Sequence, residues 1–127
     1  MLRILIATLF LTVSAGSAVA QSDFPSRSIR MVVPYPPGGF TDLLARTIGQ
    51  KMSQSLGQPI VVDNRGGGGS TIGTDIVAKA APDGYTLLLA AVDLAINESL
   101  YKSLPYSAEN DFTPVALAAH SPMVLVA

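Results

Sequence analysis

The sequence predicts an α/β fold: a parallel, doubly wound sheet with helices packed on both of its faces. Three observations lead there. Short β-branched apolar runs occur at residues 28–34, 59–63 and 85–90. Stretches with helical periodicity separate them, and the connections between are only a few residues long. Strands and helices alternating in this way require crossover connections, which are right-handed and make the sheet parallel and three-layered.

Ser28–Pro34 is the first strand, short, β-branched and closed by proline. The loop Pro34-Tyr35-Pro36-Pro37-Gly38-Gly39 follows, then Thr41 and Asp42 at a helix start. Thr41 can cap the helix, and Asp42 in its first turn complements the positive end of the helix dipole. Leu44, Ile48, Met52 and Leu56 recur every fourth residue as one apolar stripe, and Gly57 supplies the stop. Pro59–Asp63 is the second strand, apolar at successive positions as a strand covered on both faces should be. A second glycine loop, Asn64–Ser70, leads into a helix over 71–81 with Ile72, Ile76, Val77 and Ala80 on its buried face. Pro82-Asp83-Gly84 is a turn, and Tyr85–Ala90 is the third strand. Beyond Ala91 the pattern weakens. Asn97 is placed to cap a short helix through Tyr101, while Val115–Ala118 and Met123–Val126 have strand character. A domain seldom ends in an uncapped apolar strand, so the chain is expected to be incomplete.

Residues 1–20 have the organisation of a secretory signal peptide: Arg3 in a short basic start, an apolar stretch over 4–13, and Ala18-Val19-Ala20 before the cleavage point at Gln21. The apolar stretch is shorter than the roughly twenty residues of a membrane anchor. The expected product is residues 21–127, exported and not inserted in the membrane. Losing Arg3 changes the formal charge from 8 − 9 = −1 to 7 − 9 = −2. A weakly acidic domain without a basic stripe is a poor partner for nucleic acid. The absence of cysteine removes disulfides, thiolate catalysis and zinc–thiolate sites.

Chemistry is expected where the strands end. In an open parallel sheet, ligands collect at the carboxyl ends of the strands. The loops over 34–41, 64–71 and 91–96 share that rim. The first two run into helix N-termini, where unpaired N–H groups and the dipole favour an anion. Thr41, Asp42, Asn64, Arg65, Ser70, Thr71 and Asn97 are the polar side chains available there. Neither loop carries the lysine followed by Ser or Thr of a nucleotide P-loop, and neither satisfies G-x-G-x-x-G. The rim therefore suits a carboxylate better than a phosphate. Several residues have a plainer reading beside the functional one. The four glycines could form a simple surface loop, Asp42 could serve only its helix, and Arg65 could be solvated. His120, the sole histidine, has no acid or nucleophile tied to it by spacing and reads as exposed. No catalytic constellation or metal-spaced cluster is present, and no cofactor is implied.

Ordered motifs then carry a resemblance. Arg30-Met31-Val32-Val33-Pro34-Tyr35-Pro36-Pro37-Gly38-Gly39 with Thr41-Asp42 and Ala45-Arg46 resembles the opening of the Bug-type extracytoplasmic solute receptors of tripartite tricarboxylate transporters. The segments over 56–65, 77–88, 95–101, 104–106 and 111–115 continue the pattern in register. The resemblance implies a two-lobed periplasmic-binding-protein fold of type II, in which this chain forms the first part of lobe 1 and the second lobe is missing. It implies capture of a small organic carboxylate for delivery to membrane permease subunits, with no enzymatic activity. Carried over by motif, the ligand-binding residues are Gly38, Gly39, Thr41 and Asp42 in the first loop. Gly67, Gly68, Gly69, Ser70 and Thr71 are those of the second. The family usually has proline at the place of Gly66, alanine at Gly68 and glycine at Ser70, so ligand preference here is open. The alternatives are a sensory protein that presents its ligand to a receptor kinase, an exported α/β enzyme, which the missing nucleophile–base pair disfavours, and a truncated fragment without a function of its own.

Overall fold

A computed structural model describes residues 24–122; the leader and the run Met123–Val126 lie outside the described residues. Six elements follow one another in the expected alternation: β1 (Ile29–Val33), α1 (Phe40–Leu56), β2 (Ile60–Asn64), α2 (Thr71–Ala78), β3 (Thr86–Leu88) and α3 (Asp93–Leu100). The strands are all parallel in the order β2-β1-β3, with Met31 level with Val62 on one side and Leu87 on the other. The chain moves outward from β1 to β2 and then returns past β1 to β3. Right-handed crossovers in opposite directions put α1 and α2 on opposite faces of the sheet. α1 packs on β1 and β2, and α2 packs on β1 and β3.

The central strand owes its place to its side chains. Ile29, Val32 and Val33 are at most 2% exposed, and burying each contributes about 1.5–3 kcal/mol. Met31, Val33 and Ala45 form a core with Met52, Ile60, Val62, Leu87 and Leu89 on the α1 face. The ladder continues just past the strand ends. Arg65 donates its N–H to the Val33 carbonyl at 2.8 Å, and Leu89 donates to that of Val32 at 3.0 Å. The three connecting loops therefore leave the sheet side by side. Among the described residues no helix is long and apolar enough to cross a membrane.

Several local expectations change. α1 begins one residue before Thr41, with Gly39 as its N-cap and no side-chain cap, because Asp42 reaches back instead to the N–H of Gly38. β2 is the outer strand of the described sheet, not one covered on both faces, since α2 crosses over β1 and leaves Val61 51% exposed. α2 ends at Ala78 and turns Gly73 and Thr74 inward, while Ile72 is 52% exposed. The smallest side chains allow the closest approach to the sheet, and that outweighs the hydrophobicity of Ile72. Asn97 lies inside α3, not at its start, and is only 3% exposed. Residues 115–118 form no strand, and Val115 and Leu117 are each 83% exposed.

Candidate functional site

The loop after β1 is tied to both of its neighbours. Asn64, at the end of β2, donates Nδ2–H to the Tyr35 carbonyl at 3.2 Å and accepts from Arg46 Nη2 at 3.2 Å. Gly66 lies against Pro36: a Cβ at Gly66 would come within 3.2 Å of the Pro36 nitrogen and ring. Towards β3, the Tyr35 hydroxyl donates to Asp93 Oδ1 and accepts the Ala91 N–H at 3.1 Å. Burial, and next the hydrogen bond to Asp93, hold the Tyr35 phenol well above its ordinary range. Loops one, two and three thus form one braced rim.

The second loop has an unusual backbone. Gly67, Gly68, Gly69 and Ser70 all take positive φ, at 125°, 59°, 62° and 74°. Three consecutive glycines make such a run accessible, and Ser70 completes it against its steric preference. Side chains fasten the carbonyls. The Thr71 hydroxyl donates to the Gly68 carbonyl at 2.8 Å, joined by Tyr101 from α3 at 3.3 Å. Asn97 Nδ2 donates to the Gly69 carbonyl at 2.9 Å and to Ser70 Oγ at 3.3 Å. No hydrogen bond among the described residues engages the N–H groups of Gly67 to Ser70. Carbonyls fastened by side chains, with amides that have no hydrogen-bond partner among the described residues, meet one requirement of an anion-binding loop, and the N-terminus of α2 adds its dipole.

The expected site residues divide into exposed backbone and committed side chains. Gly39, Gly67, Gly68 and Gly69 are exposed, Thr41 and Thr71 are half-buried, and Ser70 is buried with its Oγ accepting from Asn97. Gly38 is exposed, but its N–H is given to Asp42 Oδ2 at 2.9 Å. Asp42 itself is 5% exposed, and Arg46 Nη2 lies 3.0 Å from its Oδ1. The Arg46 hydrogen bond, and then the Gly38 amide, hold its carboxyl at about 2. Its oxygens shape the loop and are not presented at the rim. Arg65 is likewise engaged, donating Nε–H to Asp63 Oδ1 at 2.9 Å, and His120 is exposed. The sequence assigns no site role to Tyr35 or Tyr101, and it offers Asn97 as a rim side chain and a helix cap. The four-residue interval from Asn97 to Tyr101 puts both on one helix face, and that spacing was the available signal. Among the described residues no group of three His, Cys, Asp or Glu side chains gathers to hold a metal.

Comparison with known proteins bears on this rim. The sequence profile described as "Tripartite tricarboxylate transporter family receptor" (TctC) matches residues 44–127. Protein BugT of Bordetella pertussis is 47% identical over 117 residues, which are 91% of this chain and 36% of BugT. A solved R. palustris protein with adipate is similar at a TM-score of 0.70 and 40% identity, over 73% of this chain and 31% of that one. MatC from Rhodopseudomonas palustris, solved with bound malate, is similar at a TM-score of 0.65 and 43% identity, over 75% of this chain and 33% of MatC. The chain spans about a third of the length of the curated relatives it matches, between 32% and 38%.

Proposed function

The chain belongs to the tripartite tricarboxylate transporter receptor family, and from that premise we propose that it supplies one wall of a carboxylate-binding cleft. In this reading the protein is exported to the periplasm, captures a small organic acid and presents it to a membrane permease. The leader at residues 1–20 supports export, and the malate and adipate bound by similar proteins support the ligand class.

One observation carries the proposal: the amides of Gly67 to Ser70 have no hydrogen-bond partner among the described residues, on a rim where three loops meet. A carboxylate accepting them makes charge-assisted bonds, each contributing about 1.5–3 kcal/mol. The exposed Gly39 and the half-buried Thr41 hydroxyl complete the cradle from the first loop. Asp42 acts indirectly, because its carboxylate fixes Gly38 while Arg46 offsets the charge that would repel an anion. Recognition through backbone groups holds the carboxyl end common to many acids. Discrimination between acids then falls to whatever meets the distal end of the ligand, in the lobe facing this one.

Thermal denaturation of the full-length protein with acetate, malate, adipate and citrate tests this. A true ligand at about a hundred times its Kd stabilises by about 2.7 kcal/mol. If no small carboxylate raises the melting temperature at millimolar concentration, the proposal is wrong. Delivery to a permease is tested separately, by uptake of the labelled acid in cells with and without the gene.

A further inference from the structure

Ser70 is the one non-glycine residue at positive φ among the described residues, at 74°, and it is 5% exposed. A half-turn of the Gly69–Ser70 peptide would carry its φ to about −106° with ψ kept at −8°, the bridge region that the second central residue of a turn adopts. Gly69 would accept the accompanying change in ψ without penalty. On local sterics alone the turned form is favoured, because it removes the left-handed conformation from a residue with a Cβ. Something outside the loop must hold the less favoured form.

Asn97 is placed to do this. It is 3% exposed, and its Nδ2 donates to the Gly69 carbonyl at 2.9 Å and to Ser70 Oγ at 3.3 Å. Turning the peptide would remove that carbonyl and bring the Ser70 N–H towards the Asn97 donor. With the Asn97 side chain in its observed orientation, Nδ2 would then lose its acceptor and face another donor. The Ser70 carbonyl cannot compensate, because Thr74 anchors it through its N–H at 3.1 Å and its hydroxyl at 2.9 Å. In a trans peptide the C=O and N–H point in opposite directions. Drawing the Gly69 carbonyl towards α3 therefore aims the Ser70 N–H away from α3.

We infer that Asn97 is a positioning residue for anion capture: it holds the Gly69–Ser70 peptide in its strained orientation and so aims the Ser70 amide at the ligand carboxylate. Tyr101, the C-cap of α3, fastens the Gly68–Gly69 peptide in the same way through the Gly68 carbonyl. The inference rests on the receptor reading in that the amide is given a carboxylate to meet.

The decisive variant is Asn97→Asp in the full-length protein, which keeps the side-chain shape and removes the donor. Two measurements are made: the orientation of the Gly69–Ser70 peptide in a crystal structure, and the affinity for malate and adipate by calorimetry. The expected results are a turned peptide and at least tenfold weaker binding. Adding Ser70→Gly to Asn97→Asp should recover part of the affinity, because glycine has no preference for the turned form; simple structural damage would not be repaired this way. An unturned peptide, or a turned peptide with affinity unchanged, overturns the inference. If the unsubstituted protein binds no carboxylate, the receptor reading fails, while the peptide orientation still decides whether Asn97 holds the loop. Should Asn97→Asp not accumulate, Asn97→Ser puts no charge in the buried position and is read by the same two measurements.

Discussion

Gly73 decides how closely α2 can lie on the sheet, and Gly73→Ala measures the value of that approach. A methyl group there would stand 2.6 Å from the Arg65 carbonyl oxygen and 2.8 Å from both Cα and Cβ of Pro34. Carbon contacts relax near about 3.5 Å, so α2 must retreat by about 0.7 Å. Backbone and a proline ring cannot rotate aside, which places the overlap at the upper end of about 1–3 kcal/mol. Alanine returns about 1 kcal/mol of helix propensity, leaving a net loss of about 2 kcal/mol. Gly49→Ala in α1 is the control: its methyl would meet the Ile60 Cγ2 at 3.3 Å, a side-chain atom able to shift. Propensity and overlap then nearly cancel. Urea denaturation of the two variants should separate them by about 2 kcal/mol. Because Gly73 backs the glycine loop, carboxylate affinity should fall in Gly73→Ala and hold in Gly49→Ala. Equal midpoints for the two variants would refute the close-packing argument.

Two further outcomes follow from the rim and a third from the leader. Tyr35→Phe removes the bonds to Asp93 and Ala91 and should cost about 1–2 kcal/mol near neutral pH. The folded Tyr35 phenol titrates above its unfolded value of 10.0, so its contribution is complete below pH 10 and declines as pH rises further. The difference between wild type and Tyr35→Phe should therefore shrink in alkali, as followed by denaturation at successive pH values. Asp42 has the opposite sign: its carboxyl is lowered from 3.8 to about 2, so its stabilisation is present above about pH 4 and disappears as pH falls towards 2. Asp42→Asn should show a shallower acid unfolding limb over that interval. Finally, intact mass of the protein recovered from the periplasm should place its first residue at Gln21.

The parts of the fold legible in the sequence were those set by local patterning. Apolar β-branched runs at 29–33 and 60–62 sit in strands, where burying large apolar side chains dominates. The stripe Leu44, Ile48, Met52 and Leu56 marks the helix but not its buried face: Asp42, Ala45 and Gly49 are buried, Met52 alone of the stripe packs on the core, and Leu56 is 37% exposed. The same rule failed at α2, where it favoured Ile72 over Gly73 and Thr74. Helix-to-sheet distance is a tertiary quantity, and the small residues that permit a close approach carry no hydrophobic signal. Asn97 was misplaced for a related reason: asparagine is a common helix cap, and its burial against the glycine loop depends on an element 27 residues away. For Asp42 the sequence offered two roles, and the i,i+4 spacing to Arg46 was the visible hint of the structural one. The two glycine loops were legible because glycine after a strand and before a helix has few local explanations.

The second loop also shows where the sensitivity of such a site should lie. A glycine run is costly to order, at about 1–2 kcal/mol per residue, and an unbraced loop would meet that cost on binding. Here Thr71, Asn97 and Tyr101 fasten its carbonyls and Pro36 packs against Gly66, so the ordering is completed during folding. Preorganisation of this kind raises affinity without adding a contact. In the proposed cradle the groups that would face a ligand are mostly backbone amides, which side-chain substitution does not remove. A mutational scan should find the largest affinity losses at residues that touch no ligand, namely Tyr35, Gly73 and Asn97. If the losses instead cluster on exposed rim side chains such as Arg65, recognition works through side chains and the amide cradle is not the source of binding.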